Sequence, residues 1–203
     1  MRSNLLLIRH AAIDGLGVRI VGRTSGVHLN EQGRSQADCL ARRLAVLPLC
    51  AVYSSPRERA QETAGAIAAA TGLPVVTRDE LDEVDFGEWT GQAFADLEPL
   101  EAWQRFNASR NDAGIPGGES MPQLKQRAGR VVDELRRAHP SDSIALVSHA
   151  DWLRAAAAAH LGLPLDALRS FEVSPASVTV LQFDNGNARI ARWNDTGDLR
   201  HAL

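Results

Sequence analysis

Short apolar runs that each lead into a capped helical stretch constrain this chain more than any other feature. That rhythm fits a sheet whose strands are covered on both faces by helices. Residues 4–9 hold the uninterrupted block Leu5, Leu6, Leu7 and Ile8 and predict a buried strand, after which Asn30 predicts the cap of a helix reaching about residue 47. Residues 50–53 predict a second strand. Ser55, Pro56 and Glu58 then predict a capped helix start, with the helix stopping at Gly72. Residues 75–77 predict a third strand, and Ser120 with Gln123 repeats the capping pattern before a helix to about Ala138. Residues 144–148 predict a further strand, followed by a helix over 150–161 that ends at Gly162. Alternation over 178–193 around Asn185 and Gly186 predicts a hairpin. The expected fold is α/β, a three-layer α/β/α sandwich with a mostly parallel central sheet and an antiparallel edge hairpin, built as a single domain over residues 1–203.

Charge and cysteine content narrow the function classes. With 22 basic and 25 acidic residues the net charge is −3, so no general attraction to nucleic acid or anionic membranes is expected, and any anion must be caught by a local cluster. The two cysteines, Cys39 and Cys50, lie in no CxxC spacing and are expected to be reduced core thiols. Neither the amino-terminal apolar block nor the alanine run 155–159 is long enough for a signal peptide or a membrane span. A cytoplasmic protein is expected, with a homodimer left open.

The chemistry concentrates at two strand ends. The first strand ends Ile8, Arg9, His10, and the later one ends Val147, Ser148, His149. Ligands of α/β sheets bind beyond the carboxyl ends of the strands, so these positions count most. Either histidine alone reads as a hydrogen-bonded strand-end residue. Two at equivalent ends, with Arg57 and Arg59 following the second strand, gather imidazoles and guanidinium groups in one crevice if those strands are neighbours. That inventory suits a phosphoryl group, although a salt-bridge knot with Asp or Glu would use the same residues. No HExxH and no GxxxxGK[ST] loop is present, so neither a metal site nor a nucleotide-binding loop is expected.

These residues and others in chain order resemble the histidine phosphatase superfamily, in its phosphoglycerate mutase-like branch. Residues 7–11 (LIRHA) are similar to its RHG signature, 29–37 to its LTxxGxxQA segment and 54–64 to its SSPLxRAxxTA segment. Residues 81–91 are similar to the LxExxFGxWEG segment of the phosphatase members, and 117–120 with 147–149 complete the set. The resemblance implies that His10 is the nucleophile, that Arg9, Arg59 and His149 complete a phosphate pocket, and that Glu83 is the proton donor. It also implies a small phosphorylated substrate and no cofactor or metal.

Around this set, Asp82, Asp85 and Glu88 read as a solvated acidic loop, Arg23 as a solvated cation, and Trp89, Trp103 and Trp152 as packing residues; Glu119 could brace the pocket. The sequence departs from the family at Ala11, Ile13 and Leu16, which remove a hydroxyl and an amide from the pocket wall, and at Ala150, which stands in place of a glycine. The segment between Gly91 and Gly118 is short and lacks the ERxYG motif and insertion of true mutases, which favours hydrolysis over mutase transfer. Within phosphatases, the loop Gly22, Arg23, Thr24 resembles that of α-ribazole phosphatase relatives. A non-catalytic phospho-ligand binding module is the alternative of a different class.

Overall fold

The computed structural model describes residues 2–197, so residues 1 and 198–203 of the expected domain lie outside the described residues. In chain order the elements are β1 (Arg2–Arg9), α1 (Glu31–Leu44), β2 (Leu49–Ser54), α2 (Glu58–Thr71), β3 (Val75–Thr77), α3 (Phe94–Leu97), α4 (Glu101–Ala108), α5 (Met121–Ala138), β4 (Ser143–Ser148), α6 (Ala150–Leu161), β5 (Val178–Asp184) and β6 (Asn187–Asp195). They form one six-stranded sheet in the order β3-β2-β4-β1-β5-β6. The β3, β2, β4 and β1 strands are parallel, while β5 runs antiparallel to β1 and β6 antiparallel to β5.

The two faces follow from strand alternation. Leu5 and Leu7 of β1, with Ile144 and Leu146 of β4, pack against Leu124, Val131 and Leu135 of α5 and Trp152 and Leu153 of α6. Leu6 and Ile8, with Ala145 and Val147, face the opposite way onto Leu40 and Leu44 of α1 and Ala60 and Ile67 of α2. A strand covered on both sides must be apolar at consecutive positions, which is why β1 and β4 read as continuous hydrophobic blocks. The sandwich places β1 and β4 side by side at its centre, in register from Asn4 against Ser143 to Arg9 against Ser148.

Local chemistry explains the element ends. The Asn30 side chain accepts from the Gly33 amide at the start of α1, and Ser120 and Gln123 form a reciprocal capping box at the start of α5. The hairpin turns at Asn185 and Gly186, both with positive φ, as a two-residue turn with right-handed strand twist requires. Three expectations are corrected. The α2 helix begins at Glu58 with Arg57 as its cap position and no side-chain cap, while Ser55, buried two residues earlier, accepts from Arg57 N and meets His149 through its hydroxyl. The α1 helix ends at Leu44, short of residue 47. Cys39 and Cys50 are both exposed, not core thiols: Cys39 lies off the buried stripe of α1 formed by Gly33, Ala37, Leu40, Ala41 and Leu44, and Cys50 sits at the amino end of β2.

The segment between β3 and α5 passes over the carboxyl ends of the strands through two short 3-10 turns, α3 and α4. Its lower loop is locked to residues 115–119 by Glu88 N donating to Pro116 O and Glu119 N donating to Asp85 O. Only glycine permits this contact, since a Cβ at Gly118 would lie 2.3 Å from the Asp85 carbonyl oxygen.

Candidate active site

Neighbouring parallel strands deliver both histidines to one place. Because β1 and β4 are adjacent, His10 follows the end of one and His149 the end of the other; His10 N donates to Ser148 O, and the imidazole rings stand 5.2 Å apart. Arg59 reaches the same point from the first turn of α2, and Glu83 from the loop that follows β3. The structure thus brings Arg9, His10, Arg59, Glu83 and His149 together.

The hydrogen bonds fix the ring tautomers. His10 Nδ1 lies 2.8 Å from the Ala11 carbonyl oxygen, which can only accept, so the proton sits on Nδ1 and Nε2 keeps its lone pair. Arg59 Nε donates towards that Nε2 at 3.3 Å, and Arg59 Nη2 donates to Gly22 O at 2.6 Å and to His149 Nδ1 at 3.1 Å. The His149 proton is therefore on Nε2, 2.7 Å from Ser55 Oγ, which in turn approaches Asp82 Oδ1 at 3.5 Å. Burial, reinforced by the Arg59 charge, holds both imidazoles well below their ordinary pKa and keeps them neutral. Two guanidinium donors in this crevice, Arg9 Nε and Arg59 Nη1, are buried and have no hydrogen-bond partner. Unsatisfied buried cationic donors are costly unless an anion completes them.

Glu83 is 8% exposed and docks on the amino end of α6, where Oε1 accepts from Val84 N at 3.0 Å and Trp152 N at 3.2 Å. Burial first, and then the charge of Asp151, push its pKa up to about 7 despite those bonds. A carboxyl group so placed can give and take a proton near neutrality. Its backbone is held by Arg23 Nε, which donates to Glu83 O at 2.8 Å, and by Arg127, whose Nη2 reaches the same oxygen.

A cavity of about 580 Å³ opens over these groups, with Arg9, His10, Arg59 and Glu83 in its wall. His149 is fully buried behind Arg59 and is not part of that wall. Ile13, Leu16 and Ala150, where the sequence departs from the family pattern, line the cavity and add apolar side chains to it.

Several surrounding residues differ from expectation. Asp82 is buried, not solvated: Arg57 Nε holds its carboxylate at 2.8 and 3.0 Å and the Glu83 amide donates to it. Arg23 is engaged in the same network, bonded to Glu83 O and to Glu119, which also braces Arg127 at 2.8 Å. Trp89 and Trp152 are buried in packing, while Trp103 both packs edge-on against Trp89 and lines the cavity. Sequence reasoning missed Ser55 as the partner of His149, and Asp151, Arg110, Arg154 and Arg169 in the cavity wall. The only sequence signal for the last group was a density of arginines spread over distant segments. Among the described residues, Cys50, His139 and Asp142 offer ligand atoms within 4.8 Å of one another, at the amino ends of β2 and β4 and so at the opposite end of the sheet from His10.

The sequence profile of the histidine phosphatase superfamily (branch 1) matches residues 5–196. The chain is a histidine phosphatase. It is 32% identical over 200 residues to phosphoserine phosphatase 1 of Hydrogenobacter thermophilus, covering 96% of this chain and 93% of that protein. It is 33% identical over 205 residues to the metal-independent phosphoserine phosphatase of Arabidopsis thaliana, covering 97% and 83%. Among solved structures, the phosphatase superposes on a mycobacterial glucosyl-3-phosphoglycerate phosphatase with a TM-score of 0.87 at 28% identity, covering 96% of this chain and 99% of that one. As a member of this superfamily the phosphatase is a phosphoric monoester hydrolase.

Proposed function

We propose that the phosphatase hydrolyses a small phosphorylated metabolite, without metal, through a phosphohistidine on His10. The observation that carries this reading is the pairing of an unprotonated His10 Nε2, steadied by a long 3.3 Å hydrogen bond from Arg59 Nε, with two unpartnered guanidinium donors, Arg9 Nε and Arg59 Nη1, beside a carboxyl group poised near neutrality. In the first step Nε2 forms a bond to phosphorus while the ester oxygen leaves with the proton of Glu83. In the second step water attacks phosphorus, its proton passes to Glu83, and the His10–phosphorus bond breaks to release inorganic phosphate. Splitting one hard displacement into two is what a nucleophilic imidazole contributes. Arg9 and Arg59 meet the charge on the phosphoryl oxygens, where fixed donors contribute most. His149 holds Arg59 in place through Nδ1 from outside the cavity wall and so acts on the phosphoryl group through that guanidinium.

Phosphoserine, for which two relatives are named, fits this class of substrate. The free, exposed Cys39 and Cys50 support a reducing compartment and hence a cytoplasmic setting; no helix among the described residues is long and apolar enough to cross a membrane. The test is turnover of p-nitrophenyl phosphate in the presence of EDTA. Native protein is expected to turn over and to gain the mass of one phosphoryl group after an alkaline quench, and His10→Ala to do neither. Absence of turnover with retained phosphate binding would establish the binding-module alternative.

A further inference from the structure

The mechanism uses Arg9 and Arg59 and leaves four other arginines of the same cavity unexplained, Arg19 and a cluster of three. Arg110, Arg154 and Arg169 stand with Asp151 in its wall, and the same four residues with Leu168 line a smaller recess of about 190 Å³ that opens beside it. Their mutual neutralisation is incomplete. One carboxylate oxygen, Asp151 Oδ1, serves both Arg154 Nη1 at 3.1 Å and Arg110 Nη1 at 3.6 Å, and among the described residues no second acidic side chain lines the recess. Three guanidinium groups against one carboxylate leave a net charge of +2 in this pocket.

Two of the three arginines are built into the fold, and Arg169 stands at the exposed rim. The Arg110 side chain is 11% exposed, with its guanidinium 4.6 Å over the Phe106 ring, and its Nε is buried without a hydrogen-bond partner. Arg154 is fixed by Nε donating to Phe171 O at 2.7 Å. Gathering like charges in a partly buried recess raises their energy unless a further anion arrives. The cavity that joins this recess to His10 is also lined by Leu16, Phe94 and Trp103, apolar surface suited to a short carbon skeleton.

Resting on the phosphomonoesterase reading, we propose that Arg110, Arg154 and Arg169 form a second-anion subsite, and that the preferred substrate is a phosphomonoester carrying another anionic group, carboxylate or phosphate, on the same small molecule. Planar guanidinium forks bind either group through paired oxygens.

The experiment compares 3-phosphoglycerate, fructose 1,6-bisphosphate and glycerol 3-phosphate, which lacks a second anion, each as kcat/KM relative to p-nitrophenyl phosphate. Native protein is expected to favour at least one doubly anionic ester over glycerol 3-phosphate by about tenfold, the weight of one charge-assisted hydrogen bond. Preference for the first ester assigns a carboxylate and for the second a phosphoryl group. Arg169→Glu, at an exposed position that tolerates change, and Arg154→Met are expected to erase that preference, mainly through KM. Equal kcat/KM for all three esters in native protein, or a preference unmoved by both variants, would overturn the subsite and leave the phosphatase reading standing. Should native protein hydrolyse none of them, that reading fails, and calorimetric binding of the same three esters to native and Arg169→Glu protein decides the subsite by the same inequality.

Discussion

Glu83 carries the sharpest expectation at the scale of single residues. An alkoxide leaves poorly without a proton, whereas p-nitrophenolate leaves well. Glu83→Gln is therefore expected to slow an alkyl phosphate by about 10²-fold or more and p-nitrophenyl phosphate by less than about tenfold, measured as kcat on the two substrates. Because the acid must be protonated and its pKa is about 7, kcat/KM of the native enzyme is expected to fall as pH rises through that value. The Gln variant should lose this alkaline limb. His10 and Arg9 were legible as chemistry because a polar pair interrupts an apolar strand, and Glu83 only through its similarity to a family segment. Asp82 was not legible. In a run of Asp82, Glu83 and Asp85 nothing local distinguishes a solvated carboxylate from one that Arg57 will clamp from a different element. The three recess arginines come from the loop after α4, from α6 and from the 3-10 turn Leu165–Ser170, and only the tertiary fold brings the first to the other two.

The element scale decides whether those side chains can be presented at all. The first turn of α1 lies directly against the loop after His10: a Cβ at Gly33 would stand 2.0 Å from Ala12 O, and Gln36 Oε1 accepts from Ala12 N. Gly33→Ala must push that loop away. We expect a loss of about 3 kcal/mol in denaturant unfolding, together with reduced turnover, since the displaced residues adjoin the nucleophile. Ser120→Ala makes the contrasting case. It removes the capping box of α5, whose hydrogen bonds involve only Ser120 and Gln123 and no residue of the cavity wall, and is expected to cost about 1 kcal/mol, read as a fall of ~3 °C in Tm, with turnover retained. The same capping rule that located α5 misplaced the start of α2: Ser55 Oγ, set between His149 and Asp82, still accepts from Arg57 N at 3.3 Å, but the helix itself begins at Glu58 with Arg57 as its cap position. Strand and helix order was readable from periodicity. The short α3 and α4 were not, since helices of 4 and 8 residues hardly exceed one or two turns of pattern.

For the whole molecule, the buried titratable groups set opposing limits on stability. His10 and His149 are folded in neutral form with depressed pKa, so their contribution is present above the unfolded value of about 6.5 and is lost as pH falls below it. Glu83 is folded as the acid with a raised pKa, so its contribution is full below an unfolded value of about 4.3 and is lost as pH rises through about 7. Glu83→Gln cannot ionise and should gain stability relative to native protein between about pH 5 and pH 8, by up to about 3 kcal/mol, read from denaturant midpoints. A flat difference across that range would remove the buried acid from the account. The cavity wall is furnished by this one chain, so activity per chain is expected to be independent of protein concentration whether or not a homodimer forms, as dilution assays combined with light scattering will test.

The central position of β4 also bears on how the enzyme is made. This strand, from Ser143 to Ser148, separates β1 from β2, although both precede it in the chain by more than 80 residues. A nascent polypeptide still inside the ribosome beyond its 142nd residue can pair neither neighbour correctly, and Arg59 has no imidazole behind it. Hydrolytic competence accordingly arises late in synthesis, when one strand slides between two that have been waiting for it.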